Sequence, residues 1–234
     1  MTRLLATVRC DMRLQFRNGF YYAAAFVAVV VVFLLRWLPN SNFSSWLPAL
    51  VFSNLLVNNF YFMGGLVLLE KEQGTLEAQI VTPLRVGEYL ASKIITLSAL
   101  SLVENFLIVV SSVGFAFQLL PFVFGIAATS VHYALCGFIV VVRYDSINEY
   151  LLPSVVYTSL LQLPLLHYFS LWSTPAFYLH PLQAPLILLK AAFIPLSGWA
   201  LVYGWLYSAV WGVILYGFCG SVFYRFVIAK AGVR

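Results

Sequence analysis

Charge is scarce in this sequence. Charged residues make up 9% of the 234 residues, whereas 62% are hydrophobic. Charged side chains supply about a quarter of an average soluble domain, so too little polar surface is available to cover a water-soluble globule. The shortage of charge excludes that class. Together with long apolar runs, it predicts an all-α, polytopic membrane protein that forms a single domain over residues 1–234.

The sequence also lacks the motifs of most catalytic and metal sites. It has no GxxxxGK[ST] phosphate loop, so we expect that the chain alone does not hydrolyse nucleotide. The cysteines and histidines lack CxxC and HExxH spacings, which argues against a disulfide framework or a metal enzyme. These residues are Cys10, Cys136, Cys219, His132, His167 and His180. We expect them to be buried or interfacial.

Six apolar runs are each long enough for a bilayer crossing of about 20 residues. They lie at 19–38, 48–69, 94–118, 121–142, 150–172 and 197–224. The first run follows an arginine-rich start but has no small-residue cleavage site after it, so it is predicted to be an uncleaved helix. Six crossings would place both termini on one side of the membrane.

The basic residues predict that this side is the cytoplasm. Of the 13 lysines and arginines, only Arg36 and Lys190 would lie outside. Those inside are Arg3, Arg9, Arg13, Arg17, Lys71, Arg85, Lys93, Arg143, Arg225, Lys230 and Arg234. This is the positive-inside pattern, which explains the net charge of +5 better than nucleic-acid binding does.

Residues 1–18 are too short in apolar length to span. Their apolar residues share one helical arc and their arginines the adjacent arc, which is typical of an amphipathic helix lying in the interface. A plain basic flank to the first crossing explains the same residues.

The connection between the second and third crossings, residues 70–93, is the longest mixed polar segment of the chain. Gly74 allows a sharp exit from the second helix, and Thr75 can cap a short amphipathic helix. Pro83 ends that helix, and Thr82 with Pro83 is a suitable start for the next one. The segment is therefore predicted to form helix, break and helix on the cytoplasmic face.

Two further connections have readable signals. Ser146 and Glu149 match the spacing of a capping box at the start of the fifth helix. Residues 173–196 contain four prolines and are too apolar for a free loop. We expect this segment to form short half-helices dipping into the outer leaflet.

Polar residues inside the apolar runs are candidates for a translocation path. Glu104 falls near mid-bilayer, so it must be protonated, paired or exposed to a wet cavity. Two polar stripes follow helical spacing, one on the second crossing and one on the fifth. They are Asn54, Asn58, Tyr61 and Gly65, and Ser154, Thr158 and Gln162. Hydrogen bonding between helices explains the stripes as well as a substrate path does.

Beyond these physical signals, three stretches resemble a known family. They are Glu70 to Glu77, Thr82-Pro83-Leu84, and Glu88 to Lys93. Their sequences, EKEQGTLE, TPL and EYLASK, resemble the permease subunits of ABC-2 type transporters. Within that group the chain is most similar to the fluoroquinolone export permeases of actinobacteria.

The resemblance implies a six-helix permease that pairs with a second permease and with two ATPase subunits, which would bind ATP and Mg²⁺. It implies that the segment from Gly74 to Pro83, between the second and third crossings, is a coupling helix seated in a groove of the ATPase, with Glu70, Glu72 and Glu77 as its charged flank. The residues implied in coupling are Glu70, Glu72, Gly74, Thr75, Leu76, Glu77, Ile80, Thr82, Pro83 and Arg85. It also implies that the second and fifth helices line the path, which favours Asn54, Asn58, Thr158 and Gln162 as path residues. Tyr61 and Glu104 are included in the predicted path from their positions within the apolar runs.

The expected function is therefore the non-enzymatic, multi-pass subunit of an ATP-driven exporter in the bacterial inner membrane. It would move amphipathic drugs or natural products and so contribute to antibiotic resistance. Export of a lipid or another hydrophobic metabolite is an alternative, as is a passive channel or membrane scaffold. A membrane enzyme using Glu104 with a histidine would need those groups at one depth.

Overall fold

The computed structural model describes residues 2–37, 43–76 and 85–228. These residues fold into helices, and no β-strand occurs within these three ranges. The first half contains α1 (Thr2–Arg17), α2 (Phe20–Trp37), α3 (Phe43–Leu55), a π-helical turn (Leu56–Tyr61), α4 (Phe62–Glu72) and α5 (Val86–Val113). The second half contains α6 (Leu119–Val141), α7 (Ile147–Leu161), α8 (Pro164–Tyr168), a 3₁₀ turn (Pro175–Leu179), α9 (Gln183–Ala191), α10 (Gly198–Phe223) and a π-helical turn (Tyr224–Ile228).

Five of the described helices are long and apolar enough to cross a membrane. They are Phe20–Trp37, Ser45–Glu72, Val86–Val113, Leu119–Val141 and Gly198–Val227. The second of these spans is continuous because α3, the π turn and α4 follow one another without interruption. These five helices confirm a polytopic, all-helical membrane protein.

The predicted fifth crossing, 150–172, is not one continuous helix. It consists of α7 and the short α8, separated by a turn at Gln162 and Leu163. Pro164 causes this break because it has no amide hydrogen to donate to the carbonyl of Leu160. The imidazole Nε2 of His180 lies 3.2 Å from that carbonyl oxygen and donates to it instead.

The packing centre of the bundle is α6. It contacts α4, the first π turn, α5, α9 and α10, and its described residues include many that are fully buried. Glycines let neighbours approach it closely: a Cβ on Gly137 would lie 2.7 Å from the carbonyl oxygen of Phe60, in the π turn. A Cβ on Gly125 would lie 2.9 Å from the backbone nitrogen of Leu189 on α9. Small residues of this kind are the usual contact points of membrane helices.

Gly137→Ala is expected to lower thermal stability, because the added methyl group meets backbone atoms of Phe60 that cannot rotate away. Overpacking of this type costs about 1–3 kcal/mol. Gly217→Ala is the matched control, since no atom lies within 4 Å of its added Cβ. Tryptophan-fluorescence melting of the purified variants in detergent measures the difference. Equal melting temperatures for the two variants would contradict the close α6 contact.

The end of the bundle that carries α1 also carries the last turn of α4, the start of α5 and the connection at 142–149; we call it the α1 end. Here α1 packs against α5 and α2, and several of its apolar side chains stay exposed, including Leu5 (61%) and Phe16 (57%). These exposed residues agree with an interface helix. The predicted start of α7 is confirmed as an N-cap at Ser146, because the amide of Glu149 donates to the hydroxyl of Ser146 at 3.3 Å. The reciprocal half of the predicted capping box differs, since the carboxylate of Glu149 accepts from the amide of Asp145 at 3.4 Å.

The opposite end of the bundle is closed by short helices, as predicted for residues 173–196. The 3₁₀ turn is held by the side chains of α10: the hydroxyls of Tyr203 and Tyr207 each donate to a carbonyl of this turn, that of Tyr178 and that of Leu179, at 2.7 Å. α9 is largely buried between α6 and α10. Covered backbone of this kind is what an apolar, non-spanning segment requires.

Candidate functional site

A buried ion cluster joins three helices at the α1 end. It consists of Asp11 on α1, Glu70 at the end of α4, and Tyr89, Ser92 and Lys93 on α5. The ammonium nitrogen of Lys93 lies 2.5 Å from a carboxylate oxygen of Glu70 and 3.1 Å from one of Asp11. The hydroxyl of Tyr89 donates to the other oxygen of Glu70 at 2.7 Å, and that of Ser92 donates to Asp11.

The three charged members of this cluster are shielded from solvent: Asp11 is 4% exposed, Glu70 1% and Lys93 0%. Two carboxylates share one ammonium, so each charge depends on the others for its solvation. The Lys93 ammonium also lies 4.6 Å from the centre of the Tyr89 ring. The cluster therefore fixes α1, α4 and α5 relative to one another.

Lys71, next to Glu70, links α4 to the connection between α6 and α7. Its ammonium donates to the carbonyls of Val142 (2.7 Å) and Tyr144 (2.6 Å) and lies 3.4 Å from a carboxylate oxygen of Asp145. Two consecutive residues, Glu70 and Lys71, therefore connect the last turn of α4 to α5 and to the α6–α7 connection, and Lys93 extends the link from Glu70 to Asp11 of α1. A cleft of about 680 Å³ opens beside them and is lined in part by Leu76.

The predicted coupling residues divide between described and undescribed positions. Gly74 has a φ of +66°, a left-handed conformation that glycine adopts without strain, so the predicted sharp exit from the second crossing is present. The hydroxyl of Thr75 donates to the carbonyl of Glu70 at 3.1 Å. Glu72 and Arg85 are exposed, whereas Leu76 is buried. Glu77, Ile80, Thr82 and Pro83 lie outside the described residues.

Two details of that prediction need correction. Glu70 was expected on the charged flank of the segment, but it lies inside the ion cluster and presents no exposed carboxylate. The helix after the segment begins at Val86 rather than at Thr82 and Pro83. The side chain of Glu88 accepts a hydrogen bond from the amide of Arg85 at 3.0 Å and so caps this start.

A second polar cluster surrounds Glu104 in the middle of α5. The amide nitrogen of Asn54 donates to one carboxylate oxygen of Glu104 at 3.1 Å, and the amide of Asn58 donates to the other. Glu104 is 3% exposed, and within the described part of the chain no lysine or arginine pairs with it. The sequence required a protonated, paired or hydrated carboxylate. The structure provides two amide donors.

The two predicted polar stripes are partly brought together. The hydroxyls of Tyr61 and Thr158 lie 3.2 Å apart, which joins the second crossing to α7. Asn54 and Asn58 instead face α5, and Gly65 faces the ring of Phe20 on α2. The first stripe is therefore not a single face. The π turn at Leu56–Tyr61 has a wider repeat than an α-helix and rotates the residues that follow it.

Gln162 lies in the turn after α7, and its Oε1 is buried without a hydrogen-bond partner in the described structure. Each of the three histidines has its own partners within the described structure. His132 hydrogen-bonds through Nδ1 to the carbonyl of Ala128 at 2.7 Å, and the His167 ring stacks on Phe177. Burial lowers the pKa of His180. The described ranges contain no group of three or more acidic, cysteine or histidine side chains able to hold a metal ion.

The sequence interpretation missed Asp11 and gave Lys93 no role beyond a topology marker. A signal for both was present. Asp11 is the only acidic residue of α1, among four arginines, and Gln15 follows it by one turn on the same face. Gln15 donates to the hydroxyl of Thr96 at 2.7 Å, so this polar face of α1 packs against the polar start of α5.

Comparisons with known proteins agree with this architecture. The sequence model of the fluoroquinolones export permease protein family matches residues 2–231. The chain belongs to this family. Two relatives are the fluoroquinolones export permease proteins of two Mycobacterium tuberculosis strains, CDC 1551 / Oshkosh and ATCC 25618 / H37Rv. Each is 34% identical to this chain over 236 residues, which cover 100% of both sequences. No solved structure matches.

Membership in a permease family makes this chain an integral membrane transport protein. It also explains the division of the structure into a bundle of spans and an elaborate α1 end. The Glu104 cluster and the ion cluster are then parts of a membrane permease, one within the spans and one at their end.

Proposed function

We propose that this permease is the membrane-spanning subunit of an ATP-driven ABC-2 type exporter. In this proposal it pairs with a second permease subunit, and separate ATPase subunits bind ATP and Mg²⁺ and contact the segment between α4 and α5. The observation that carries the proposal is the anchoring of this segment. At its start, Glu70 bonds to Lys93 and Tyr89 of α5, and Lys71 bonds to the α6–α7 connection. Lys93 in turn pairs with Asp11 of α1.

A channel or scaffold does not have to transmit a force from this segment to the membrane spans, whereas a permease driven by an ATPase does. A force applied between Gly74 and Arg85 would reach α4 directly and α5 through the Glu70–Lys93 pair. α1 would follow through Asp11 because all three charges are buried together. Closure of the ATPases would thereby tilt α4 and α5 and expose the path to the opposite side.

The proposed substrates are amphipathic drugs or natural products, including fluoroquinolone-like compounds, since the relatives are named for fluoroquinolone export. The proposed path includes the Glu104 cluster and the Tyr61–Thr158 contact. The exposed apolar face of α7, with Leu152 at 80% and Val156 at 60%, would contact lipid or the second permease. We place the protein in the bacterial inner membrane with both termini in the cytoplasm, the orientation favoured by the basic residues.

Cysteine crosslinking tests the contact with the ATPase. A cysteine at Ala78 or Ile80, in a Cys10→Ser background and labelled with a thiol-reactive photocrosslinker, is expected to crosslink to a co-purified ATPase subunit on illumination. A cysteine at Leu179, which is 73% exposed at the opposite end of the bundle, is the matched control and should give no crosslink. Crosslinking is read on non-reducing gels of membranes.

Transport is measured with the same preparations. Inside-out vesicles containing the permease and the ATPase should take up a fluorescent amphiphile only when ATP is present. A failure of crosslinking at both positions, together with uptake that does not depend on ATP, would contradict the proposal and favour a passive channel.

A further inference from the structure

A cavity of about 270 Å³ lies at the end of the bundle opposite α1, among α8, the 3₁₀ turn, α9 and the start of α10. We call it the Lys190 cavity. Among the described residues of its lining, Lys190 is the only lysine, arginine, aspartate or glutamate. The lining also includes Gln183, Ser170, Ser173, His167 and two tyrosines. None of the described coupling residues and no member of the Glu104 cluster belongs to the lining of this cavity, so it is a separate feature of the described fold.

The Lys190 ammonium has no carboxylate partner in the described part of the chain. It lies 5.4 Å from the centre of the Tyr168 ring, which leaves its three hydrogen-bond donors available to a ligand in the cavity. A cation in a partly enclosed, aromatic surrounding interacts more strongly with an anion than it would in water. The charge of the cavity thus selects for a negatively charged group.

Gln183 gives an independent indication of a polar ligand. Gln183 belongs to the lining of the cavity and its side chain is 3% exposed. Its Oε1 is buried without a hydrogen-bond partner among the described residues. A buried amide left unpaired is costly, and rotation of the amide presents either its oxygen or its NH₂ group. Gln183 and Lys190 lie on the same helix, α9, seven residues apart and therefore two turns along one face.

Ser170 at the edge of the cavity adopts a φ of +57°, the only positive φ among the described non-glycine residues. It occupies the C-terminal turn of α8, where the amide of Leu171 bonds to the carbonyl of Leu166 at 2.9 Å. Glycine is the usual residue at such a position because it avoids this strain. A serine here keeps a hydroxyl in the lining of the cavity.

The surroundings of the cavity are apolar. Leu171, Trp172, Leu179 and Trp199 belong to the same end of the bundle and are 74%, 61%, 73% and 70% exposed. The cavity is smaller than the roughly 300–1,000 Å³ of sites that enclose a whole drug-sized molecule. It can hold a head group while an attached apolar part lies against the exposed aromatic and leucine side chains.

We propose that the Lys190 cavity binds the phosphate or carboxylate head group of an amphiphile, with Lys190 as the charge partner and Gln183 and Ser170 as hydrogen-bonding groups. The inference deepens the proposed function, on which it rests, by giving the charge class of the amphiphiles that meet the permease at this end. The head group belongs either to a membrane phospholipid or to an exported anionic amphiphile.

The test uses the full-length permease in neutral maltoside micelles and dodecyl phosphate as the probe, titrated by calorimetry. Lys190→Gln is expected to weaken binding at least about tenfold, because a charge-assisted contact is lost. Lys190→Arg should keep binding close to that of the wild type. Arg36→Gln is the matched control: it removes the other basic residue predicted at this end, and Arg36 is not part of the cavity lining.

Gln183→Leu provides a second variant that keeps all charges, and it should bind dodecyl phosphate more weakly than the wild type at an unchanged melting temperature. Dodecyltrimethylammonium should show no saturable binding to any variant. Equal losses for Lys190→Gln and Arg36→Gln, or saturable binding of the cationic probe, would overturn the proposal.

Two further measurements distinguish a phospholipid from an exported amphiphile as the ligand, and the head-group site from the proposed function. Native mass spectrometry that finds anionic phospholipid on the wild type but not on Lys190→Gln identifies a lipid, whereas competition between dodecyl phosphate and an exported compound identifies a substrate. Lys190-dependent binding without ATP-driven uptake would support the head-group site in the Lys190 cavity and reject the proposed export function. ATP-driven uptake with binding that is independent of Lys190 would support the export function and reject the head-group site.

Discussion

Lys93→Met is expected to destabilise this permease by about 3–5 kcal/mol, the usual cost of leaving a buried charge without its partner. Lys93 is fully buried and is the ion-pair partner of both Asp11 and Glu70. Without it, two carboxylates remain in a site that solvent does not reach. The melting temperature in detergent and the amount of protein retained in the membrane report the loss.

The arrangement offers both a control and a rescue. Arg9→Gln removes an exposed positive charge from α1 and should leave the melting temperature nearly unchanged. Adding Asp11→Asn and Glu70→Gln to Lys93→Met removes all three charges, and a neutral buried cluster should recover much of the stability. If Lys93→Met alone had the melting temperature of the wild type, the ion cluster would not be what holds α1, α4 and α5 together.

Stability and coupling can be separated with the rescued triple variant. It should fold, yet its α4 and α5 would be joined by weaker, neutral hydrogen bonds. Under the proposed function, ATP-driven uptake by this variant should fall more than its stability does. Uptake at the wild-type rate would show that the ion cluster serves folding only.

Glu104→Gln is expected to reduce ATP-driven uptake at least about tenfold while changing the melting temperature little, because an ionisable group in mid-membrane is costly to keep for packing alone. The substitution preserves size and removes the charge. Its new amide nitrogen would meet the amide of Asn54 or Asn58, which now donate to the carboxylate. Asn58 can rotate to accept this hydrogen, since its Oδ1 has no partner in the described structure.

Glu104→Leu is the companion variant. It leaves the amide of Asn58 without its acceptor, at about 1–3 kcal/mol for the unsatisfied group, and should therefore lower the melting temperature. The amide of Asn54 loses one acceptor but keeps its hydrogen bond to Asn105 at 3.1 Å. Uptake and melting are measured on the same vesicle and detergent preparations. Full uptake by Glu104→Gln would remove Glu104 from the mechanism and leave it as a packing residue.

Much of the architecture could be predicted from the sequence because membrane spans have a strong local signal. About 20 apolar residues in succession must form a helix in lipid, and five of the six predicted runs do so here. The turn at Gly74 and the cap at Ser146 were readable for the same reason, since each depends on residues only a few positions apart. The break at Pro164 was also encoded locally, but the length of the apolar run hid it.

The candidate sites were less predictable because they depend on partners distant in sequence. The stripe through Asn54, Asn58 and Tyr61 was derived from an ideal α-helical repeat, and the π turn redistributed it between α5 and α7. Glu104 was recognised as anomalous, yet the sequence did not show that Asn54 and Asn58 donate to it. Glu70 was expected on an exposed flank because its local sequence is polar.

The sequence alone determined the membrane class, the order of the spans, and the segment between α4 and α5 as the polar insertion, since each follows from hydrophobicity and short-range backbone rules. The tertiary structure decided the pairing of Lys93 with Asp11 and Glu70, across 82 and 23 positions of the chain. The physical reason is that burial removes water from a charged side chain, so that it must pair with an opposite charge. Which charges meet depends on how α1, α4 and α5 pack, and no local pattern specifies that packing.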